Sequence, residues 1–235
     1  MASSNKAGDS KTVTINLEIY SDNICPFCYL GYRKVQAAMD EAKKAGLPVT
    51  FSVTFKPFLL DPTLPCDKPV SKKERYAQKF GDKANAIFAA MHERGKPWGI
   101  DFSYNGPIRN TYTSHRLVEK ALLEGGQGLQ LALIELLFKG YFEEEKDIGD
   151  PAWLAEVAVE AGVFDNKEAA LSFLESDELK TETCAAVRHA QSLGISGVPF
   201  TVINNKYAVS GAQEPAAFTD IFKKIACGEC PCKKS

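Results

Sequence analysis

Apolar and polar positions switch period along this chain, and each switch marks an element. Residues "TVTINLEIY" (12–20) set Val13, Ile15, Leu17 and Ile19 on one face against threonine and charged residues on the other, the two-residue period of a strand. The period then lengthens. Leu30, Val35, Ala38, Met39 and Ala42 recur at helical spacing, and Gly46 followed by Pro48 closes the helix. "VTFSVTF" (49–55) alternates again, so the first part reads β-α-β, with a parallel strand pair and a right-handed crossover.

From about residue 66 to about 195 the pattern is almost wholly helical. Ser71 and Glu74 have capping-box spacing, and Tyr76, Phe80, Ala84, Ile87, Phe88 and Met91 follow in one helical register. "SHRLVEKALLEG" and "LQLALIELLFKGYF" predict two further helices. Asp150 with Pro151 predicts an N-cap and first position opening "AWLAEVAVEAG". "KEAALSFLES" and "DELKTETCAAVRHAQSLG" complete the bundle, with Gly194 just past its end. Strands return in "FTVI" (200–203) and "KYAVS" (206–210), joined by a hairpin turn at Asn204–Asn205. "EPAAFTDIFKKIA" is a last helix, and "CGECPCKKS" a short polar tail. The expected class is therefore α/β. A β-α-β half (12–65) and a β-β-α half (195–226) enclose a helical insertion (66–194), between a disordered leader (1–11) and a cysteine-rich tail (227–235).

Composition narrows the functions. With 235 residues and 45% hydrophobic content the chain can bury a full core. A net charge of −2, from 28 basic and 30 acidic residues, leaves no basic stripe and argues against nucleic acid as a main partner. The apolar runs are short for a bilayer span, so no membrane is expected. The polar start "MASSNKAGDSK" has no secretory h-region, which points to the cytoplasm. Seven cysteines there argue for reactivity or metal binding rather than a disulfide framework, and the odd count leaves at least one unpaired.

Two of them stand in "SDNICPFCYLGY" (21–32), between a predicted strand and helix. Pro26 suits the first helical position, which puts Cys25 at the helix N-terminus, before unpaired N–H groups and the positive end of the dipole. Both favour a thiolate, the nucleophilic form. Cys28 follows one turn on, buried, where it can resolve a mixed disulfide. Zinc needs two further ligands, and no second C-x-x-C or His pair stands at finger spacing outside the tail. A structural disulfide fits a reducing compartment poorly. A C-x-x-C inside β-α-β is the spacing of a redox centre. Pro199 in "GISGVPFTV" opens a strand, one of the few places a strand admits proline.

Taken together, "CPFCYLG" (25–31), "PFLLDP" (57–62), "GIDFSYNGPIRNTYTSHRL" (99–117), "GVPF" (197–200) and "YAVSGAQ" (207–213) resemble the DsbA-type thioredoxin family, and within it the FrnE-like branch, over almost the whole chain. The resemblance implies a thioredoxin fold carrying a helical insertion, and thiol–disulfide oxidoreductase activity on protein or small-molecule disulfides. It implies no bound cofactor and no metal, with glutathione as a co-substrate. Kappa-class glutathione transferases and hydroxychromene carboxylate isomerases are related, and they carry serine where this chain has Cys25. A glutathione-dependent isomerase or transferase for an aromatic or polyketide-like molecule is thus a second reading, and a redox-switched binding or chaperone module a third.

By the same resemblance Cys25 attacks and Cys28 resolves, with Pro26 and Phe27 between them at the substrate. Val198 offers its backbone to an extended substrate, and Pro199 is cis and shields the sulfurs. Asn110, Thr111 and His115 face the active site, and Ser210, Gly211 and Gln213 open the last helix where glutathione relatives hold a carboxylate. Phe27 supplies no donor, which predicts a less oxidising disulfide. Cys66 and Cys184 read as idle thiols. Cys227, Cys230 and Cys232 read either as a second redox pair or as incidental tail thiols. Nothing in the pattern indicates an oligomeric state.

Overall fold

The protein, described for residues 12–227 in a computed structural model, is built on one four-stranded mixed sheet in the order β2-β1-β5-β6. Strands β1 (Val13–Ser21) and β2 (Val49–Pro57) run parallel in the register Ile15↔Phe51, and helix α1 (Pro26–Lys44) crosses between them. Strand β5 (Phe200–Ile203) lies antiparallel beside β1, and β6 (Tyr207–Ser210) antiparallel beside β5. Asn204 and Asn205 turn the hairpin with φ of 50° and 53°, the left-handed pair that a two-residue turn demands. Helix α8 (Pro215–Ala226) packs on α1. The alternation of β1 is literal: Ile15, Leu17 and Ile19 are buried on one face. This is the β-α-β and β-β-α order expected of the sequence.

Between the halves lie five helices: α2 (Lys72–Phe80), α3 (Ala84–Gly95), α4 (Tyr112–Phe142), α5 (Pro151–Glu160) and α6 (Lys167–Glu175), followed by α7 (Lys180–Ser192) leading back to the sheet. The caps fall where the pattern put them. Ser71 Oγ accepts the Glu74 N–H, Asp150 accepts from Ala152 and Trp153, and Gly194 follows α7 with φ of 75°. The two helices predicted within 114–142 are present, run together as α4 and separated by a kink at Gly125 and Gly126 (φ 66°). Two details differ from expectation. The register that joined Tyr76 to Met91 is broken at Gly81 (φ 58°), where a single tight turn separates α2 from α3. Val70–Ser71 (β3) and Pro107–Ile108 (β4) form a small ribbon too short to leave a pattern.

The insertion is fastened to the sheet through polar groups. β2 is an edge strand, and an open edge exposes unpaired backbone. Gln127 Oε1 accepts the Val53 N–H at 2.7 Å, Gln130 Oε1 the Phe55 N–H at 2.8 Å, and Gln130 Nε2 donates to the Phe55 carbonyl at 3.1 Å. Two side chains of α4 thus substitute for a neighbouring strand. Helix α4 is the one described helix whose length and composition would allow a bilayer crossing. Here Leu133, Ile134, Leu137 and Phe138 are buried in the core. Arg116 donates to the carbonyls of Phe173, Leu174, Ser176 and Glu178, joining the end of α6 to the approach to α7.

Lys72, the first residue of α2, is buried with no carboxylate in contact. Its Nζ donates to the carbonyls of Tyr141 at 3.1 Å and Ser103 at 3.3 Å, and sits 3.8 Å from the centre of the Tyr141 ring. This anchors α2, which forms one wall of the cavity described below. Burial lowers its pKa to about 7, whereas a lysine in the unfolded chain titrates near 10.4. Below pH 7 both states are charged and the burial cost is complete. Between about pH 7 and 10 the unfolded state binds more protons, so this group makes stability rise with pH. Denaturant unfolding of wild type and Lys72→Met across that range should show the difference between them growing in favour of wild type, by at most roughly 1.4 kcal/mol per pH unit. A pH-independent difference would mean that the ammonium is not desolvated.

Candidate active site

The first strand ends in a polar turn, and the turn presents Cys25. Cys25 is the N-cap of α1, in extended conformation (φ −89°, ψ 112°), with Pro26 at the first helical position and no acidic residue in the first turn. Its N–H donates to the Asp22 carbonyl at 3.0 Å, and its own carbonyl accepts the Cys28 N–H at 2.9 Å. Both cysteines are free thiols. The Cys25 thiol donates to the Val198 carbonyl at 3.5 Å. Cys28 is fully buried behind it, and burial, joined by a hydrogen bond with Cys25, pushes its thiol well above the ordinary range. Both residues are buried, but Cys25 lines a cavity whereas Cys28 lies wholly inside behind it.

The Val198–Pro199 peptide bond is cis. Pro199 O accepts the Gly211 N–H at 2.8 Å, so the segments 198–199 and 210–213 form one wall. Helix α1 approaches that wall at Gly31, where a Cβ would stand 2.9 Å from the Pro199 ring. Lys34, one turn further along α1, is buried. It donates to the Ala212 carbonyl at 3.2 Å and pairs with Glu214, the N-cap of α8, at 2.5 Å. Its ammonium lies 5.5 Å from the Trp98 ring.

The turn itself is clamped from the other side. The buried Asp22 carboxylate accepts the Leu60 N–H at 2.6 Å and the Ile24 N–H at 3.4 Å, and lies 3.4 Å from His115 Nε2. His115 Nε2 is also 3.1 Å from the Phe58 carbonyl, which can only accept, so that nitrogen carries a proton. Asn23 Nδ2 donates to Ser114 Oγ at 2.9 Å.

The residues singled out in the sequence therefore separate into groups. Cys25, Pro26, Phe27 and Val198 line one cavity. Phe27, Val198, Pro199, Gly211 and Gln213 line a second beside it. Ser210 ends β6 and accepts from Gln213 through its carbonyl. Residues 210–213 precede α8, which begins only at Pro215, so they form a loop rather than a helix start. Asn110, Thr111 and His115 are buried and line neither cavity. Asn110 donates to the carbonyls of Pro62 and Leu64 and holds the 62–65 loop, as His115 holds Phe58. Cys227 caps the far end of α8 and is exposed, whereas Cys230 and Cys232 lie outside the described residues. Cys66 is exposed, and Cys184 is half-buried with its thiol donating to Tyr112 Oη at 3.3 Å.

Each cavity measures about 640 Å³. The first, over Pro199, adds Lys34, Arg94, Trp98 and Glu214 to the predicted residues. The second, over Cys25, is walled by Leu60, Tyr76, Phe80, Ile87 and Met91. Sequence reasoning assigned no role to these residues. Tyr76, Phe80, Ile87 and Met91 read simply as an apolar helix face, and nothing local shows that part of such a face meets a cavity.

Comparison with known proteins agrees with this geometry. The DSBA-like thioredoxin domain family profile matches residues 16–223. The uncharacterized protein YwbO of Bacillus subtilis (strain 168) is 26% identical over 220 residues, covering 92% of this chain and 98% of its own. The crystal structure of SCO1869 from Streptomyces coelicolor, described as a probable DsbA oxidoreductase, is 28% identical with a TM-score of 0.77, covering 94% of this chain and 93% of that one. The cytosolic disulfide reductase DsbM from Pseudomonas aeruginosa, solved with GSH, shares the fold at 15% identity and a TM-score of 0.56, over 91% of this chain and 98% of its own.

The contact between Gly31 and Pro199 has a direct test. A methyl at residue 31 forces α1 and the 198–199 segment apart, because a proline ring cannot swing aside as a long side chain does. Gly31→Ala should lose roughly 1–3 kcal/mol in denaturant unfolding, the range for an overpacked site. A variant with wild-type stability would show that the approach is not tight.

Proposed function

The chain belongs to the DSBA-like thioredoxin family, and on that footing we propose that it is a thiol–disulfide oxidoreductase whose reacting pair is Cys25 and Cys28. The observation that carries this reading is the placement of Cys25. It caps a helix N-terminus, lines a cavity beside the Val198 carbonyl, and has the buried Cys28 thiol behind it.

The chemistry follows from these positions. Cys25, as thiolate, attacks one sulfur of a substrate disulfide and expels the other half as a thiolate, leaving a mixed disulfide on Cys25. The positive end of the α1 dipole, at whose N-cap Cys25 stands, stabilises charge on this sulfur in both directions of the exchange. Cys28 then loses its proton, attacks the Cys25 sulfur and releases the second half, so that two electrons pass from the dithiol to the substrate. Val198 presents backbone to an extended substrate, as an added strand does.

Glutathione is the co-substrate that returns the pair to the dithiol form. The cavity over Pro199, with the Lys34–Glu214 pair, Gln213 and Arg94, is its site in this reading, and DsbM with GSH provides a precedent within the fold. No bound cofactor or metal takes part. The protein then works where a thiol pool keeps the pair reducible, as in the cytosol.

Cys25→Ser should abolish insulin reduction, and Cys28→Ser should accumulate mixed disulfides visible by intact-mass spectrometry, because the attacking sulfur survives without its resolving partner. Since burial raises the Cys28 thiol, release of the mixed disulfide in wild type should keep accelerating above about pH 8.5, the ordinary thiol range. Unchanged turnover in Cys25→Ser would overturn the assignment, and a release rate that levels off below that pH would overturn the role of Cys28.

A further inference from the structure

Exposed bulky apolar side chains are few among the described residues: Phe27 and Leu60 at 38%, Phe80 at 40%, Leu123 and Leu193. Three of these five border a single cavity, the one that Cys25 lines. Tyr76, Ile87 and Met91 continue its apolar wall. A surface that collects apolar groups around a reactive sulfur is built to desolvate something there.

The charges at this cavity have one sign. Lys79, Lys83 and Arg94 line it, and no carboxylate does. The nearby Asp61 pairs with Arg75 at 2.8 Å and also feels the charge of Lys79, and none of the three cations forms an ion pair within 4 Å among the described residues. Arg94 lies 5.7 Å from the Phe27 ring, Lys79 lies 5.8 Å from the Phe80 ring, and Arg94 also borders the neighbouring cavity. Apolar walls with unpaired cations fit an apolar group that carries an anion. A volume of about 640 Å³ is far more than one small polar half of a disulfide occupies.

We propose that this cavity selects low-molecular-weight disulfides in which the half delivered to Cys25 is an aromatic or branched apolar thiol bearing a carboxylate. The proposal rests on the oxidoreductase reading and names its substrate class. The apolar part lies against Phe80, Ile87 and Met91, and its carboxylate meets Lys79, Lys83 and Arg94. Cys25 then forms a disulfide with that half while the substrate S–S bond breaks and the other half leaves as a thiolate. Cys28, on losing its proton to solvent, closes the Cys25–Cys28 disulfide and frees the apolar thiolate. Two equivalents of a thiol such as glutathione reduce the enzyme and leave as glutathione disulfide.

The test mixes reduced full-length wild type, Phe80→Ser, Lys83→Glu and Cys25→Ser with each of three disulfides without glutathione, which would reduce the aromatic ones directly, and reads the rate of enzyme oxidation by acid quench and mass spectrometry. The disulfides are dithiobis(nitrobenzoate), aromatic and anionic; dithiodipyridine, aromatic and neutral; and hydroxyethyl disulfide, small and neutral. Both cavity variants lie on exposed or half-exposed positions, and circular dichroism verifies that they fold. Lys83→Glu should lower the second-order rate constant for oxidation by the nitrobenzoate by about ten-fold and leave both neutral disulfides within about two-fold. Phe80→Ser should lower both aromatic disulfides by about ten-fold and spare hydroxyethyl disulfide. Equal changes on all three disulfides, or none, would overturn the proposed specificity, provided Cys25→Ser remains inactive. Full activity of Cys25→Ser would instead overturn the oxidoreductase reading beneath it.

Discussion

The active-site turn depends on one buried carboxylate. Asp22 is excluded from water, and its oxygens take N–H groups from Ile24 in its own turn and from Leu60 beyond β2, with the Nε2 of His115 from α4 alongside. Its carbonyl takes the N–H of Cys25. Three segments distant in sequence therefore converge on one residue three positions before the reactive sulfur. A buried polar group without such partners costs on the order of 1–3 kcal/mol, so the turn, the 58–60 loop and the first turn of α4 are held in one arrangement. The same arrangement aims Cys25 at Val198.

From that clamp the division of labour follows. The sheet and α1 supply the helix terminus, and the hairpin between β5 and β6 supplies the wall at Pro199. The insertion supplies most of the apolar wall of the cavity over Cys25. Leu60 stands in the loop after β2, while Tyr76, Phe80, Ile87, Met91 and Arg94 come from α2 and α3. Lys34 connects the two regions across α1, holding the loop before α8 on one side and facing Trp98 on the other. The candidate centre is thus assembled from the part of the fold with the most regular pattern, and its surroundings from the least regular.

Cys25 and Cys28 also show how one motif yields two unlike thiols. Cys25, as the helix cap, is only 3% exposed yet lines a cavity, because its backbone has already left the helix. One turn later the side chain points into the packed interface of helix and sheet. Burial at that depth penalises the charged sulfur and raises the Cys28 thiol well above the ordinary range.

Much of this was legible in the order of residues alone. Alternation in β1 and β2, the Asn204–Asn205 turn, the caps at Ser71 and Asp150, and the placement of Cys25 before Pro26 are local matters, decided by sterics and hydrogen bonds within a few residues. So the elements and the dithiol could be read directly. Asn110, Thr111 and His115 were also legible as residues of importance. That they clamp loops rather than line a cavity depends on which carbonyls reach them, and those come from residues 58 to 64. The break at Gly81 hid inside an unbroken apolar register, because glycine admits both the helix and the left-handed turn. The cationic rim of the cavity was invisible for a deeper reason. Lys79, Lys83 and Arg94 look like ordinary solvated residues along the chain. Only the docking of α2 and α3 beside Cys25 brings the three together on one cavity that no carboxylate lines.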